Sequence, residues 1–334
     1  MSSNILEPVV ETYTVRRLLP EDAPGVNECV REIYGESYVH PELYDPEQLL
    51  RLNATGELVS VVALDRQDRV VGHYALERPG LPPIAEGGAA MVLPACRHHQ
   101  LMERMRELLE AEAVRLELAG LFGHAVTNHI FTQRSDEHFG EHACAVSLGW
   151  SPRTFHNLPE PLPQRMSEIL YFKFLRAPRA TRVFLPARHQ AICAEIYAQL
   201  SVAVEFAPPA PAAEQGTLQV DYRSDLQRAV IRVQRVGCDT VRQVGKTLET
   251  LIPAGVEAVF VELPAAQPGT PETSEALAEQ GLFFSGLGPC FAADGDALRL
   301  QWLRDPIDPS LLQIVSPFAQ QLLTFAMQDR ARVG

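Results

Sequence analysis

The sequence lacks several features that would assign a protein to a class at once. Its six cysteines include no C-x-x-C pair, which argues against a disulfide framework and favours free thiols in a reducing compartment. No apolar run is long enough to cross a membrane, and the start, MSSNILEPVVETYTVRR, has no basic segment followed by an apolar one. These absences predict a cytoplasmic protein without a membrane span.

Positive charge is also scarce. Lysine and arginine number 29 against 42 acidic residues, which gives a formal net charge of -13. Surfaces that bind nucleic acid or anionic lipid need a positive field, so we expect neither partner. The acidic balance instead favours a cationic amine or a small metabolite, and a homodimer remains open.

The length of 334 residues predicts about two domains. The segment RAPRATR interrupts an apolar run near residue 178, and the proline- and alanine-rich segment FAPPAPAAEQG follows at 206–216. We therefore predict one domain over residues 1–177 and a second over residues 178–334.

Strands and helices alternate in the first half. TYTVRRL, LVSVVALD, RVVGHYALE and GGAAMVL have strand patterns, and the second and third of these are joined as a hairpin by RQD. After Pro94, apolar residues at helical spacing predict a long helix from Leu101. A strand, LFGHAVT, is then followed by a predicted helix from Ser135 to Gly149 and a closing strand, SEILYFKFL.

This order resembles the GNAT acyltransferase superfamily over residues 12–176, and MVLPACRHHQLMERM makes the resemblance specific. Arg97 lies three residues after Pro94, where the family's acyl-CoA loop has its arginine, while Gln100 and Met102 replace the family's two glycines. The resemblance implies an α/β (α+β) fold with a mixed, mostly antiparallel sheet flanked by helices. It also implies a bacterial N-acyltransferase that uses acetyl-CoA or another acyl-CoA and acts on a primary amine of a small molecule or peptide.

The implied cofactor-binding residues form one segment. A helix N-terminus offers free N–H groups to a pyrophosphate, and glycines allow close approach and positive φ. The loss of both glycines leaves two alternatives, a phosphate-binding loop or an ordinary connection between strand and helix. The strand, Pro94, Arg97 and the long amphipathic helix together favour the first, and Arg104 and Arg106 add positive charge near the helix start. The predicted cofactor residues are Met91, Val92, Leu93, Arg97, His98, His99, Gln100, Leu101 and Met102.

Catalytic candidates lie at the ends of two strands. The acceptor amine must lose a proton, and a carboxylate or histidine is suited to take it. The resemblance implies that these strands separate at the acyl-CoA site, so we predict Glu86, Asn128 and His129 as catalytic, with Thr132 and Gln133 behind them. His129 has an alternative role as a cap for a neighbouring carbonyl.

Two further patterns are weaker. SLGW at 147–150 resembles the Leu-Gly-Phe ending that follows the family's fourth helix. The resemblance implies that Ala145, beside Cys144, occupies the position of the family's proton-donating tyrosine. His138 and His142 have the i, i+4 spacing of a metal site on a helix, but no third ligand follows a known pattern, so we predict no metal.

The second half repeats the first in order and spacing. AVIRVQRVG, TVRQVGKTLETLIPAG, VEAVFVELP and TPETSEALAEQG predict alternating strands and helices, and a hairpin with the turn ADGD follows. GCDT replaces the phosphate loop, with Asp239 as a helix cap. We therefore predict two tandem GNAT-like domains, the second structural or cleft-closing. The alternatives are a non-catalytic acyl-CoA-binding or interaction module and a scaffold without a CoA site.

Overall fold

The computed structural model describes residues 13–80, 82–154 and 160–333. The chain divides into two compact units, Met1–Leu118 and Ala119–Gly334. The boundary predicted near residue 178 therefore lies inside the second unit. It falls just after the strand that ends at Phe174.

The first unit is an antiparallel sheet with helices packed on it. Its strands follow the order of the chain, β1-β2-β3-β4, and each pairs antiparallel with the next. The predicted first strand starts at Thr12, which lies outside the described residues. The strands are β1 (Thr14–Arg17), β2 (Leu58–Leu64), β3 (Val70–Glu77) and β4 (Ile84–Val92), and the helices are α1 (Ala23–Tyr34), α2 (Pro46–Thr55) and α3 (Leu101–Arg115).

Local signals explain where these helices begin and end. The Asp45 side chain accepts hydrogen bonds from the N–H groups of Glu47 and Gln48, which caps the start of α2. Gly56 ends the same helix with a left-handed φ of 78°. Helix α3 buries Leu101, Met105 and Leu109 of the apolar spacing that predicted it, together with Ala113, whereas Leu108 and Leu116 of that spacing are only half-buried.

The second unit contains a longer sheet in the order β5-β7-β6-β13-β14-β12-β11-β10. All its neighbouring strands are antiparallel except β11 and β12, and β8 and β9 form a separate parallel pair. The predicted mixed, mostly antiparallel sheet flanked by helices is confirmed. The strands are β5 (Gly120–Val126), β6 (His142–Ser151), β7 (Met166–Phe174), β8 (Thr181–Val183), β9 (Val204–Phe206), β10 (Thr217–Arg223), β11 (Arg228–Arg235), β12 (Ala258–Pro264), β13 (Phe283–Ala292) and β14 (Gly295–Leu303). The helices are α4 (Phe131–His138), α5 (Ala187–Gln199), α6 (Thr240–Leu251), α7 (Thr270–Ala278) and α8 (Pro317–Val333).

One arrangement occurs twice in this second sheet. The succession β5-α4-β6-β7 places β7 between β5 and β6, and the succession β12-α7-β13-β14 places β14 between β12 and β13. The two groups meet where Gly286 of β13 pairs with Ala145 of β6. A Cβ atom at Gly286 would collide with the Cys144 carbonyl and with Ala145, so only glycine allows this approach.

The helix predicted from Ser135 to Gly149 was wrong. Helix α4 ends at His138, Gly140 follows with a φ of 77°, and residues 142–151 form strand β6. Most of that strand is buried, and a short apolar run cannot be distinguished from a buried helix by periodicity alone. Ala145 and Cys144 consequently lie in the sheet core, so no helix carries them to a tyrosine-like position.

Candidate functional site

Strand β4 carries a bulge in the first unit. Gly88 pairs with Ala75 and Met91 pairs with His73, so Ala89 and Ala90 together lie opposite the single residue between those partners. Ala89 has a φ of 53°, which non-glycine residues seldom adopt. Bulges of this kind redirect the backbone and occur frequently beside active sites.

A buried polar chain supports the bulge. His73 is fully buried, and its Nδ1 lies 2.9 Å from the Ala89 carbonyl oxygen while its Nε2 lies 3.0 Å from the Ser60 hydroxyl. Because a carbonyl only accepts, Nδ1 carries the proton and Nε2 accepts from Ser60. Asn53 of α2 holds Ser60 in turn through two hydrogen bonds of 3.1 and 2.8 Å. Burial lowers the pKa of His73 to about 4, so this ring is neutral at pH 7.

The loop after β4 has left-handed backbone without glycine. A 3-10 turn covers Pro94–Cys96, and α3 then starts at Leu101. His98 has a φ of 73°, and Gln100, the residue directly before α3, has a φ of 55°. The acyl-CoA loop of the GNAT superfamily has a glycine at the position of Gln100. Gln100 adopts the left-handed conformation that glycine permits. Such strain in non-glycine residues is concentrated at functional sites.

The predicted cofactor residues divide into buried and exposed groups. Met91, Val92 and Leu93 are buried, and the Leu93 N–H donates to the Val71 carbonyl at 2.8 Å. Arg97, His98, His99 and Gln100 are exposed, Leu101 is buried and Met102 is half-buried. The exposed group follows β4 directly and precedes the free N–H groups at the start of α3.

The nearby arginines are engaged differently from the expectation. Arg97 donates from Nε to the Val92 carbonyl at 3.4 Å, and its exposed side chain keeps further donors. Arg104 donates to the Tyr13 carbonyl at 3.0 Å. Arg106 is buried beside Glu110, so it adds no exposed charge at the helix start.

Glu86 belongs to a group of ionisable side chains. It lies directly opposite Glu77 on β3, half-buried. His40 Nδ1 lies 3.7 Å from Glu77 Oε1 and 3.1 Å from Glu42 Oε1. The first unit thus gathers two carboxylates and an imidazole around the carboxylate predicted as the base.

Burial and like charge set the protonation of this group. Burial is the main cause that raises the pKa of Glu77 to about 7. Among its charged neighbours, His40 acts to lower this pKa, whereas Glu86 and Glu42 act to raise it. Burial acts to lower the pKa of His40, but the neighbouring Glu77 and Glu42 outweigh it and leave that pKa raised. At neutral pH the group can therefore hold or release a proton.

In the second unit, Asn128 and His129 follow the end of β5. Burial lowers the pKa of His129. Within the described residues, His129 Nδ1 and Asn128 Oδ1 are buried atoms without a hydrogen-bond partner. Buried polar atoms are normally paired, so adjacent unpaired ones are consistent with the predicted role.

Gln133 is fully buried and acts as a clamp. Its amide nitrogen donates to the carbonyls of Val126 at 3.0 Å and Gln313 at 2.7 Å, and its oxygen accepts from the Val315 N–H at 3.1 Å. It therefore binds the segment before α8 to the end of β5. Thr132 beside it is exposed.

His40, Glu42 and Glu77 were absent from the sequence predictions. Glu77 was detectable, since the predicted hairpin ends with it. His40 and Glu42 come from the connection between α1 and α2, and no spacing rule relates that connection to β3. His138 and His142 lie in α4 and β6, so the helical metal spacing considered for them does not exist.

Among the described residues, no helix is both long enough and apolar enough to cross a membrane. No protein-family model matches the sequence, and no curated protein is significantly similar to it.

Solved structures of GNAT acetyltransferases align with about half of this chain. A GNAT-family acetyltransferase from Staphylococcus aureus Mu50 is 12% identical with a TM-score of 0.38, and the match covers 49% of this chain and 100% of that one. The ribosomal-protein-alanine N-acetyltransferase from Brucella melitensis is 17% identical with a TM-score of 0.39, covering 48% and 99%. PaiA N-acetyltransferase from Thermoplasma acidophilum, solved with coenzyme A, is 14% identical with a TM-score of 0.36, covering 49% and 99%. Each of these alignments spans about half of this chain.

Proposed function

We propose that this protein is an acyl-CoA-dependent N-acyltransferase that uses acetyl-CoA and acylates a primary amine. The observation that carries the proposal is the left-handed backbone of Gln100, at the position where the resembling loop has glycine. A non-glycine residue in this conformation costs of order 1–3 kcal/mol and persists where the surrounding structure requires it. Binding of a pyrophosphate by the start of α3 gives such a requirement.

Each part of the first unit has a role in this proposal. The N–H groups at the start of α3 and the exposed Arg97, His98 and His99 bind the pyrophosphate. The bulge at Ala89 presents backbone to the thioester, and Met91, Val92 and Leu93 keep β4 anchored in the core beside it. The amine nitrogen forms a bond to the thioester carbonyl carbon, the carbon–sulfur bond breaks, and CoA leaves as a thiolate.

Glu86 is the proposed base in the first unit, since a carboxylate beside Glu77 and His40 can take the ammonium proton. Asn128 and His129 remain proposed catalytic residues of the second unit on the strength of their unpaired atoms. Our proposal for the organisation is two GNAT-like halves, 1–177 and 178–334, the second without a phosphate loop and structural in role. The repeated strand order of the second sheet supports it.

Thermal unfolding with acetyl-CoA, longer acyl-CoAs and free CoA tests the donor site. A ligand at 100 times its Kd adds about 2.7 kcal/mol to the folded state. We expect an upward shift that Arg97→Ala reduces and Arg51→Ala, an exposed arginine on α2, leaves unchanged. Gln100→Gly should raise the unfolding temperature of the free protein, because glycine adopts the observed φ at no steric cost. The absence of a shift with every ester would refute the donor site.

An acyl-CoA-binding module needs only the loop that binds CoA, whereas an enzyme also needs a side chain that takes the proton of the amine. If Glu86→Gln or His129→Ala retains CoA affinity and loses turnover in a screen of primary amines, the module alternative fails. Binding without turnover for any amine, in the wild type as well, would favour the module.

A further inference from the structure

We propose that His40, Glu42 and Glu77 of the first unit form a binding site for a divalent transition-metal ion such as Zn²⁺ or Mn²⁺. The three side chains come from the connection after α1, the 3-10 turn that follows it and the last residue of β3. All are half-buried, and their ligand atoms lie within 4.8 Å of one another. The proposal is independent of acyl-CoA binding.

The spacing of the ligand atoms fits a single ion. Two atoms that each lie about 2.1 Å from one metal are separated by about 3.0 Å at a right angle and by about 3.4 Å in a tetrahedron. His40 Nδ1 lies 3.1 Å from Glu42 Oε1 and 3.7 Å from Glu77 Oε1. An ion can therefore enter with only small side-chain movements, and water fills its remaining positions.

The structure holds Glu77 toward this centre. Its side chain lies over Gly88 of β4, where a Cβ atom would collide with Glu77 Oε1. Glycine at this position therefore provides the space that the carboxylate occupies.

The connection that carries His40 is also held. The Tyr38 N–H donates to the Tyr44 hydroxyl at 3.0 Å, and Asn27 of α1 donates to the Tyr44 carbonyl at 2.6 Å. The Tyr38 ring stacks on Tyr34 at 4.4 Å and lies 5.0 Å from the His40 ring. These contacts hold the segment that carries His40 and place the Tyr38 ring beside its imidazole.

The charges of the group favour a dication. The charged groups acting on Glu77 are His40, Glu86 and Glu42. The same atom, His40 Nδ1, faces both Glu42 and Glu77, so a single proton on it hydrogen-bonds fully to only one of them. A divalent ion interacts with both carboxylates at once and is the largest stabilising charge available to partly buried acids.

The ligand types narrow the choice of metal. Carboxylates alone suit Mg²⁺ and Ca²⁺, whereas an imidazole nitrogen suits Zn²⁺, Fe²⁺ and related ions, and Mn²⁺ accepts the mixed set. We therefore expect Zn²⁺ and Mn²⁺ to bind and Mg²⁺ to bind far more weakly.

Calorimetric titration of the chelator-treated full chain with ZnCl₂, MnCl₂ and MgCl₂, without any CoA ester, tests the site. We expect one Zn²⁺ per chain and an affinity lower by about 100-fold or more in Glu77→Gln and in His40→Ala, since each removes a ligand. Glu103→Gln and His138→Asn, exposed residues of the same types outside the group, should bind as the wild type does. Mn²⁺ electron paramagnetic resonance should show the same dependence on Glu77.

Equal metal affinity in Glu77→Gln and the wild type, or no metal binding by the wild type, would overturn the proposal. The diamine 1,3-diaminopropane probes an ammonium ligand in place of a metal. If the protein binds no metal but binds this diamine, and both substitutions abolish that binding, the metal proposal is overturned and the group is assigned to an ammonium ligand. Arg97→Ala should leave metal affinity unchanged, so failure of the metal site and failure of the acyl-CoA site give different results.

Discussion

His73 gives the first unit a pH dependence that can be measured. The ring is fully buried, donates to the bulge carbonyl of Ala89 and accepts from Ser60, so its neutral form fits and its charged form does not. Replacing His73 with Gln removes the titrating group and keeps a side chain that can donate and accept.

The size and sign of the effect follow from the pKa of His73. Burial lowers this pKa from 6.5 to about 4. Between these values the unfolded chain binds a proton that the folded chain excludes, so stability falls as the pH falls. The contribution is fully present above pH 6.5, and the difference corresponds to about 3 kcal/mol lost by pH 4, since each tenfold change in proton affinity is about 1.4 kcal/mol.

Hydrogen exchange of peptides from β3 and β4, read by mass spectrometry, is the suitable assay. Both tryptophans, Trp150 and Trp302, lie in the second unit, so their fluorescence does not report on this sheet. We expect the opening free energy of the wild type to fall by about 2–3 kcal/mol more than that of His73→Gln between pH 7 and pH 4.5. Parallel profiles for the two proteins would show that His73 is not held neutral, and the reasoning would fail.

Two further predictions concern the second unit. Gly286→Ala should destabilise this unit by about 3 kcal/mol or more, because the added Cβ collides with the Cys144 carbonyl. Gly295→Ala, at a φ of 143° in open space, should cost less. Urea unfolding followed by tryptophan fluorescence compares the two variants. Equal losses would mean that backbone conformation, not the collision, requires glycine. Gln133→Leu should lower the free energy of unfolding by about 2–4 kcal/mol, because it leaves buried backbone groups unpaired. Gln320→Leu loses one exposed hydrogen bond and should cost less than about 1 kcal/mol. Similar unfolding midpoints for the two variants would contradict the clamp role of Gln133.

The parts of the fold that were predictable have strong local signals. The β2–β3 hairpin has two β-rich runs and a short polar link, β4 is ended by Pro94, and α3 has a regular apolar stripe. Strand β6 was missed because an apolar run of its length fits a buried helix as well. Helix α8 was not predicted, although Leu322, Leu323 and Ala326 form a buried helical stripe that the sequence already contains.

The candidate site was predictable where it follows the chain and unpredictable where it depends on tertiary contacts. Glu86 and the loop from Arg97 to Gln100 could be located from one strand and one proline. The left-handed φ of Gln100 could not be predicted, since nothing in its residue type indicates that conformation. His40 meets Glu77 only because α1 and its connection pack beside the end of β3, and single-sequence patterns contain no information on that packing.

The pairing of Gly286 with Ala145 determines which fragments of this protein can be prepared. A fragment that stops at residue 177, the end of the predicted first half, retains β6 but loses β13, its hydrogen-bonded neighbour. The uncovered edge is largely apolar, and such edges recruit strands from other molecules. Fragments cut between Leu118 and Ala119 keep the β6–β13 pair intact, and each contains one of the two compact units.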